Sequence, residues 1–145
     1  MLKFSLIIHL LAACVWRGEH IVLVFAYLIP ALKKKNLDEM LIFEDKYEKI
    51  GMPALLLLVV TGLYQAYVFV PDLNGWFDFS NHVSAHFSSK ILMLFGIFAM
   101  ALDVKLRLFK MSKIPIYSFA GHVLVVTILS ILMVITGLSI RLNIF

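Results

Sequence analysis

The five histidines of this 145-residue chain are the side chains best suited by type and spacing to do chemistry. His9 and His20 are 11 residues apart in one apolar run. On a helix, at about 100° per residue, they return to within about 20° of the same face, about 16 Å apart along the axis. Trp16 and Tyr27 share this stripe. Because polar side chains inside membrane spans avoid lipid, the stripe is predicted to face the interior of a bundle.

The other three histidines lie early in the last apolar run and just before the third. His122, early in the last run, is predicted to face His20. His86, at the start of the third run, is level with His9, and His82 lies one turn earlier. Two levels of paired imidazoles between helices suit the axial ligation of haem iron. The predicted pairs are His20–His122 and His9–His86.

The same residues also suit copper, for which imidazole is a good ligand. His9, His82 and His86 could receive the ion on the outer side, and Met93 and Met100 add thioether sulfurs in the third run. A structural role, hydrogen bonding across a helix interface, is the alternative for each histidine taken singly. Haem b, copper and a structural role therefore all stay open at this point.

Charged residues in the apolar runs need partners. Arg17 and Glu19 flank the stripe beside His20, and each costs a few kcal/mol at the middle of a bilayer unless it is paired. Since they point to different sides of the helix, the partners are expected on other helices or on a ligand such as a haem propionate or a quinone. Lys90 can reach the membrane surface or neutralise an anionic group.

Several other polar residues are interpreted as structural. Asp103 and Arg107 have the i,i+4 spacing of an ion pair within one helix. Glu44 and Glu48 have the same spacing and are predicted to lie on a solvated face. Cys14, the single cysteine, cannot form an internal disulfide and is predicted to be a buried small residue.

The elements that must position these residues follow from composition. The chain is 62% hydrophobic and 15% charged, with a mean hydropathy of +0.97, which excludes a water-soluble globule. Apolar runs cover residues 4–32, 50–70, about 88–109 and 114–140, each long enough for a span. Since only helices and closed barrels can cross a bilayer, a single all-helical domain, a four-helix transmembrane bundle, is predicted over residues 1–145.

Orientation is predicted from the basic residues. One side of a four-span layout holds nine of them, and the other side holds Lys3, Lys90 and Arg141. By the positive-inside tendency, both termini face outward, and the net charge of +4 reflects topology rather than nucleic-acid binding. The nine inner residues are Lys33, Lys34, Lys35, Lys46, Lys49, Lys105, Arg107, Lys110 and Lys113.

A short repeat links the second and fourth runs. Val-Val-Thr-Gly-Leu at residues 59–63 is echoed by Val-Ile-Thr-Gly-Leu at residues 134–138. Two interpretations remain open. The echo indicates either an old duplication of a helical hairpin or two close helix contacts at Thr-Gly.

The order of several short motifs resembles the CopD-type copper-resistance membrane proteins in their short, four-span form. The resemblance covers nearly the whole chain and implies a bacterial inner-membrane protein that handles copper or binds haem b. The family usually carries Trp-x-Gly-Gly-His, from which Glu19 departs, and Asp103 stands where relatives tend to carry a further histidine. The matching residues are Ile8-His9, Trp16-Arg17-Gly18-Glu19-His20, Leu28-Ile29-Pro30, Phe43-Glu44, Tyr47-Glu48, Gly51-Met52-Pro53-Ala54-Leu55, Thr61-Gly62, Lys90-Ile91-Leu92 and Arg141.

Three functions follow from these observations. The first is a redox carrier with haem b, exchanging electrons between a quinone and a periplasmic redox or copper partner, with His9, His20, His86, His122, Arg17 and Lys90 at the cofactor. The second is a copper-binding or copper-transport protein. The third rests on a more distant resemblance to the HemJ protoporphyrinogen oxidases, an enzyme function centred on His9 and Lys90. The lipid-facing helix surfaces are also compatible with a homodimer.

Overall fold

The protein is built from four long helices. The computed structural model describes residues 1–77, 80 and 82–142, with no description of the side chains of residues 82, 83 and 139–142. Within this part, all the regular structure is helical, as composition predicts. The long helices are α1 (Leu2–Lys34), α2 (Asp38–Phe69), α3 (His82–Leu106) and α4 (Ile116–Leu142), and short 3₁₀ turns occupy Leu73–Phe77 and Leu108–Lys110.

Helix α1 changes its winding at Leu23–Leu28, which is a π-helical segment just after His20. Pro30 follows this segment and has no N–H to donate to the carbonyl four residues earlier. The wider turn accommodates that missing bond, and such π segments are frequent at functional sites. The helix ends at Lys35, which adopts the left-handed conformation with φ of 51°.

Helix α2 begins at Asp38, well before the apolar run that starts at residue 50. The polar stretch 38–49 is helical because its own apolar residues pack on neighbouring helices: Met40 is 1% exposed, and Phe43 stacks on Tyr27 with ring centroids 4.4 Å apart. At about 1.5 Å per residue, 32 residues exceed the ~30 Å hydrocarbon thickness. One end of α2 therefore extends beyond the apolar layer.

The helices pack as two antiparallel hairpins, α1 with α2 and α3 with α4, which meet chiefly through α1 against α4. Two apolar clusters hold them together. The first surrounds Phe119, Leu28 and Leu108, and it lies at the end that carries connections 35–37 and 107–115, called here the basic end. The second surrounds Trp16 and Ile97 nearer the middle of the bundle.

Three of the helices, α1, α2 and the Ile116–Leu138 part of α4, are long and apolar enough to cross a membrane. In the most apolar 18-residue stretch of each helix, only 33%, 17% and 33%, respectively, is buried inside the protein. Most of each stretch therefore faces outward, toward lipid. The chain is thus a multi-pass membrane protein. The prediction that Cys14 is buried is wrong: it lies on an outward face of α1 and is exposed.

Candidate functional site

A cavity of about 190 Å³ lies among the four helices and brings together two of the predicted histidines. His20 of α1 and His122 of α4 both line it, beside Trp16. Helices α2 and α3 contribute mostly apolar walls, including Met52 and Met100. A histidine from each hairpin therefore faces one largely apolar space.

The His20 ring is held by its own helix. Its Nδ1 lies 3.0 Å from the Trp16 carbonyl oxygen, and the two rings are in contact, with centroids 4.5 Å apart. Since a carbonyl only accepts hydrogen bonds, Nδ1 carries the proton and the lone pair is on Nε2. Ligating histidines are usually anchored in this way through the nitrogen that does not bind the metal.

His122 is anchored in the same way but has a second partner. Its Nδ1 donates to the Ser118 carbonyl at 2.7 Å, while Nε2 lies 2.6 Å from Asp103 Oδ2. Asp103 also accepts two hydrogen bonds from Arg107, at 2.8 and 2.6 Å, which confirms the predicted pair within α3 and raises the pKa of the Arg107 guanidinium. The contact of Asp103 with His122 was not predicted, although the equal depth of the two residues in neighbouring apolar runs could have indicated it.

His9 packs against α2. Its Nδ1 is 2.8 Å from the Thr61 hydroxyl oxygen, whose own hydrogen goes to the Leu57 carbonyl at 2.5 Å. His9 Nδ1 therefore donates, and its Nε2 also keeps a lone pair. Together with buried Trp16 and the stacked Tyr27, this contact shows that the predicted stripe on α1 faces other helices.

Lys90 makes the equivalent contact in the second hairpin. Lys90 packs against Gly137 of α4, with Nζ 3.3 Å from the position that a Cβ would occupy there. His9 packs against Gly62 of α2 in the same way, with Cε1 3.4 Å from the corresponding position. Each copy of the Thr-Gly echo thus receives a basic side chain from the first helix of its own hairpin. Both glycines therefore lie at close helix contacts, and the equivalence of these contacts in the two hairpins is also compatible with a duplication.

The two charged residues beside His20 lack the expected ion-pair partners within the described part of the chain. Arg17 has a buried Nε without a hydrogen bond. The nearby Lys90 carries the same charge and therefore cannot pair with it. Glu19 is only 7% exposed, lines the cavity and packs against Gly51 of α2, where an added Cβ would lie 2.6 Å from Glu19 Oε2. Glycine at position 51 therefore makes room for the Glu19 carboxyl group.

The interpretation of Glu44 and Glu48 as a solvated face is wrong for Glu44 only, since the Glu48 side chain is 36% exposed. Both line the central cavity, and Glu44 Oε2 is buried without a hydrogen bond. Glu48 forms an ion pair with Lys105 of α3. The extension of α2 beyond its apolar run causes this difference, because it places residues 44 and 48 opposite α3 rather than in a loop.

The remaining histidines lie at the other end of the bundle. His86 is half-buried in the early part of α3, and the His82 side chain lies outside the described residues. The pairing of His9 with His86 stays a prediction. Across the described residues, no group of three or more His, Cys, Asp or Glu side chains converges to hold a metal ion.

In comparisons with known proteins, no family model, no curated protein and no solved structure matches the chain.

Replacement of Thr61 by Val should remove the only side-chain acceptor that His9 has on α2 in the described structure. The expected loss is about 0.6–1.5 kcal/mol of unfolding free energy, the range for one hydrogen bond between membrane helices or in a protein core. Detergent-driven unfolding in micelles measures it. Thr136→Val is the matched control, since that hydroxyl bonds only to carbonyls of its own helix. Equal losses in both variants would contradict the assigned role of His9–Thr61.

Proposed function

We propose that this protein is a bacterial inner-membrane redox carrier of the CopD-like type, with haem b bound between His20 and His122. In this proposal α3 also crosses the membrane, which gives four spans with both termini on the periplasmic side. Electrons pass between a quinone and a periplasmic redox or copper partner. One observation carries the proposal. A histidine from each hairpin lines one apolar cavity, with Nδ1 of each ring anchored to a backbone carbonyl.

The donor chemistry of this cavity fits haem. Two imidazoles on different helices form the usual donor set of a bis-histidine haem in a bundle, and His20 offers Nε2 without rearrangement. His122 offers a lone pair on Nε2 only when that atom leaves Asp103 and loses the proton that it donates there, and Asp103 then keeps Arg107 as a partner. The cavity volume of about 190 Å³ is below the ~300–1,000 Å³ typical of cofactor sites, so the flexible Met52 and Met100 side chains must move outward.

Surrounding residues supply what a redox group in a membrane needs. A bound haem would supply reversible one-electron chemistry. Trp16 fixes the orientation of the His20 ring, and the mostly apolar lining lowers the local dielectric constant, which strengthens electrostatic interactions inside the cavity. Arg17, with its unpartnered buried Nε, can hold an anionic group such as a propionate or a quinone oxygen. Lys90 adds a second positive charge nearby.

The absorption spectrum of the purified protein tests this function. We expect a Soret band and sharp α bands on reduction, with iron and haem in a constant ratio to protein. A colourless protein with stoichiometric copper by elemental analysis would contradict the proposal and favour copper binding at His9, His82 and His86. Protoporphyrinogen turnover that is lost in Lys90→Ala would instead favour the HemJ-like oxidase.

A further inference from the structure

Three sides of the bundle are closed by helix packing, and the fourth side is not. Helix α1 packs on α2, α3 packs on α4, and α1 meets α4 between the hairpins. Across the described residues, α2 and α3 form no extended helix contact of their own. The Glu48–Lys105 ion pair joins them near the basic end, and the stacked rings of Phe69 and Phe87, with centroids 5.9 Å apart, join them at the other end. Between these two contacts the side of the bundle is open.

The central cavity reaches this opening. Met52 of α2 and Phe98 and Leu102 of α3, called here the rim, line the cavity although they are 50%, 54% and 42% exposed. The apolar residues of the opposite wall, called here the floor, are each at most 8% exposed. A cavity with a buried floor and an exposed rim opens on the side of the rim. The floor consists of Trp16 and Leu23 of α1 and Phe119, Val123 and Val126 of α4.

The rim continues into an apolar outer surface. Leu56 of α2 and Phe95 and Leu106 of α3 lie about one turn from the rim residues, and each is more than half exposed. In the four-span layout of the proposed function, on which this step rests, such a surface contacts lipid. The opening therefore faces the hydrocarbon of the bilayer rather than water.

We propose that the opening between α2 and α3 is a lateral entrance, through which a lipid-dissolved ring compound reaches the histidine cavity directly from the bilayer. The lining fits such a compound, because it is mostly apolar and includes the rings of Trp16 and Phe98 and the flexible Met52 side chain. His20 and His122 line the same space and offer ring nitrogens to polar atoms or a metal at the centre of the compound. In the proposed function this compound is haem b, a flat and mostly apolar macrocycle.

The charges around the cavity favour this route over one from the basic end. A second cavity of about 240 Å³ lies there, beside the connection between α3 and α4. Glu44 and Glu48 line both cavities, and Asp45 lines the second. A compound with acidic groups, such as haem b with its two propionates, would meet like charges on that route. The rim of the lateral opening is apolar and presents no such barrier.

Photolabelling of the full-length protein in phosphatidylcholine nanodiscs tests the entrance. The protein is produced in cells that make no haem, so that no cofactor shields the floor. The probe is an iodophenyl trifluoromethyl diazirine, an apolar ring compound that dissolves in the bilayer and forms a carbene on illumination. Peptide mass spectrometry should find label on the buried Trp16 and Val126 as well as on the exposed Leu56. Leu28 and Met40, which are as deeply buried but do not line the cavity, should stay unlabelled.

A variant with a narrowed opening supplies a second measurement. Met52→Trp/Ala101→Trp puts a large ring on each side of the opening, since both residues are exposed and line the cavity. The label on the floor should fall by about tenfold, the effect of ~1.4 kcal/mol of steric cost at the opening. Leu57→Trp/Leu106→Trp is the matched control. It carries the same two rings at exposed sites of α2 and α3 that do not line the cavity, and its floor should be labelled as in the unaltered protein.

The proposal is overturned if the apolar probe labels Leu56 but not the floor, or if the narrowed variant is labelled like its control. It is overturned equally if a charged, water-soluble diazirine labels the floor as strongly, because the cavity would then open to water. These outcomes are separate from the redox function. A labelled floor in a protein that takes up no haem from haem-loaded phosphatidylcholine vesicles would leave the entrance standing and contradict the proposed function. Haem uptake by a protein with an unlabelled floor would do the reverse.

Discussion

Replacement of His20 by Ala is expected to abolish the haem signal of the purified protein. His20 is the ring whose Nε2 faces the cavity without a competing partner in the described structure, so no other group there can take its place without rearrangement. His122→Ala should remove the same signal, because both rings would be needed to hold the proposed haem. Haem per polypeptide, measured by the pyridine haemochrome method, reports both effects.

His9→Ala is the matched control for these variants. His9 is also a half-buried histidine of α1, but its contact is Thr61 rather than the cavity. The absorption bands of the haem proposed between His20 and His122 should persist in this variant, whether or not His9 and His86 hold a second haem. Full haem content in both His20→Ala and His122→Ala would refute the assigned pairing.

Replacement of Gly51 by Leu is expected to destabilise the bundle by about 1–3 kcal/mol, the usual cost of overpacking a core. The first added atom would lie 2.6 Å from Glu19 Oε2 and 3.6 Å from Tyr47 Cδ1. The Glu19 carboxyl group must therefore move further into the central cavity that it lines, or α1 and α2 must separate, and either change disturbs the packing around the cavity. Detergent-driven unfolding measures the loss, and the haem content should fall with it because both helices line the cavity.

Gly121→Leu is the matched control, since that glycine is exposed on α4 and no atom lies within 4 Å of an added Cβ. Its stability should be unchanged or slightly higher, because leucine is the better helix former. A Gly51→Leu variant as stable as Gly121→Leu would show that α1 and α2 do not approach as closely as the structure has them.

The helical class was predictable because hydrophobicity in a membrane chain acts over whole spans. Apolar runs of about 20 residues located the long helices, and the spacing of His9, Trp16 and His20 identified the inward face of α1. Helix starts were less predictable. Asp38–Lys49 reads as a polar connection, and contacts of Met40 and Phe43 with other helices stabilise it as the first turns of α2.

The carboxyl groups of the site were the hardest part to predict. A spacing of four residues, as in Glu44 and Glu48, indicates one helix face but not what that face meets. The cavity lining depends on how far α2 extends and on which helix stands opposite, and both are properties of tertiary packing. For the same reason the Asp103–Arg107 pair, which lies within one helix, was predictable, whereas the bond from Asp103 to His122 was not.

The central claim is that His20 and His122, one from each hairpin, together ligate one metal centre. Low-temperature electron paramagnetic resonance of the oxidised, purified protein tests it most directly, combined with near-infrared magnetic circular dichroism. We predict the low-spin ferric signal of a bis-imidazole haem, and a high-spin signal from any haem that His20→Ala retains. A high-spin signal in the unaltered protein, or no haem signal at all, would contradict it.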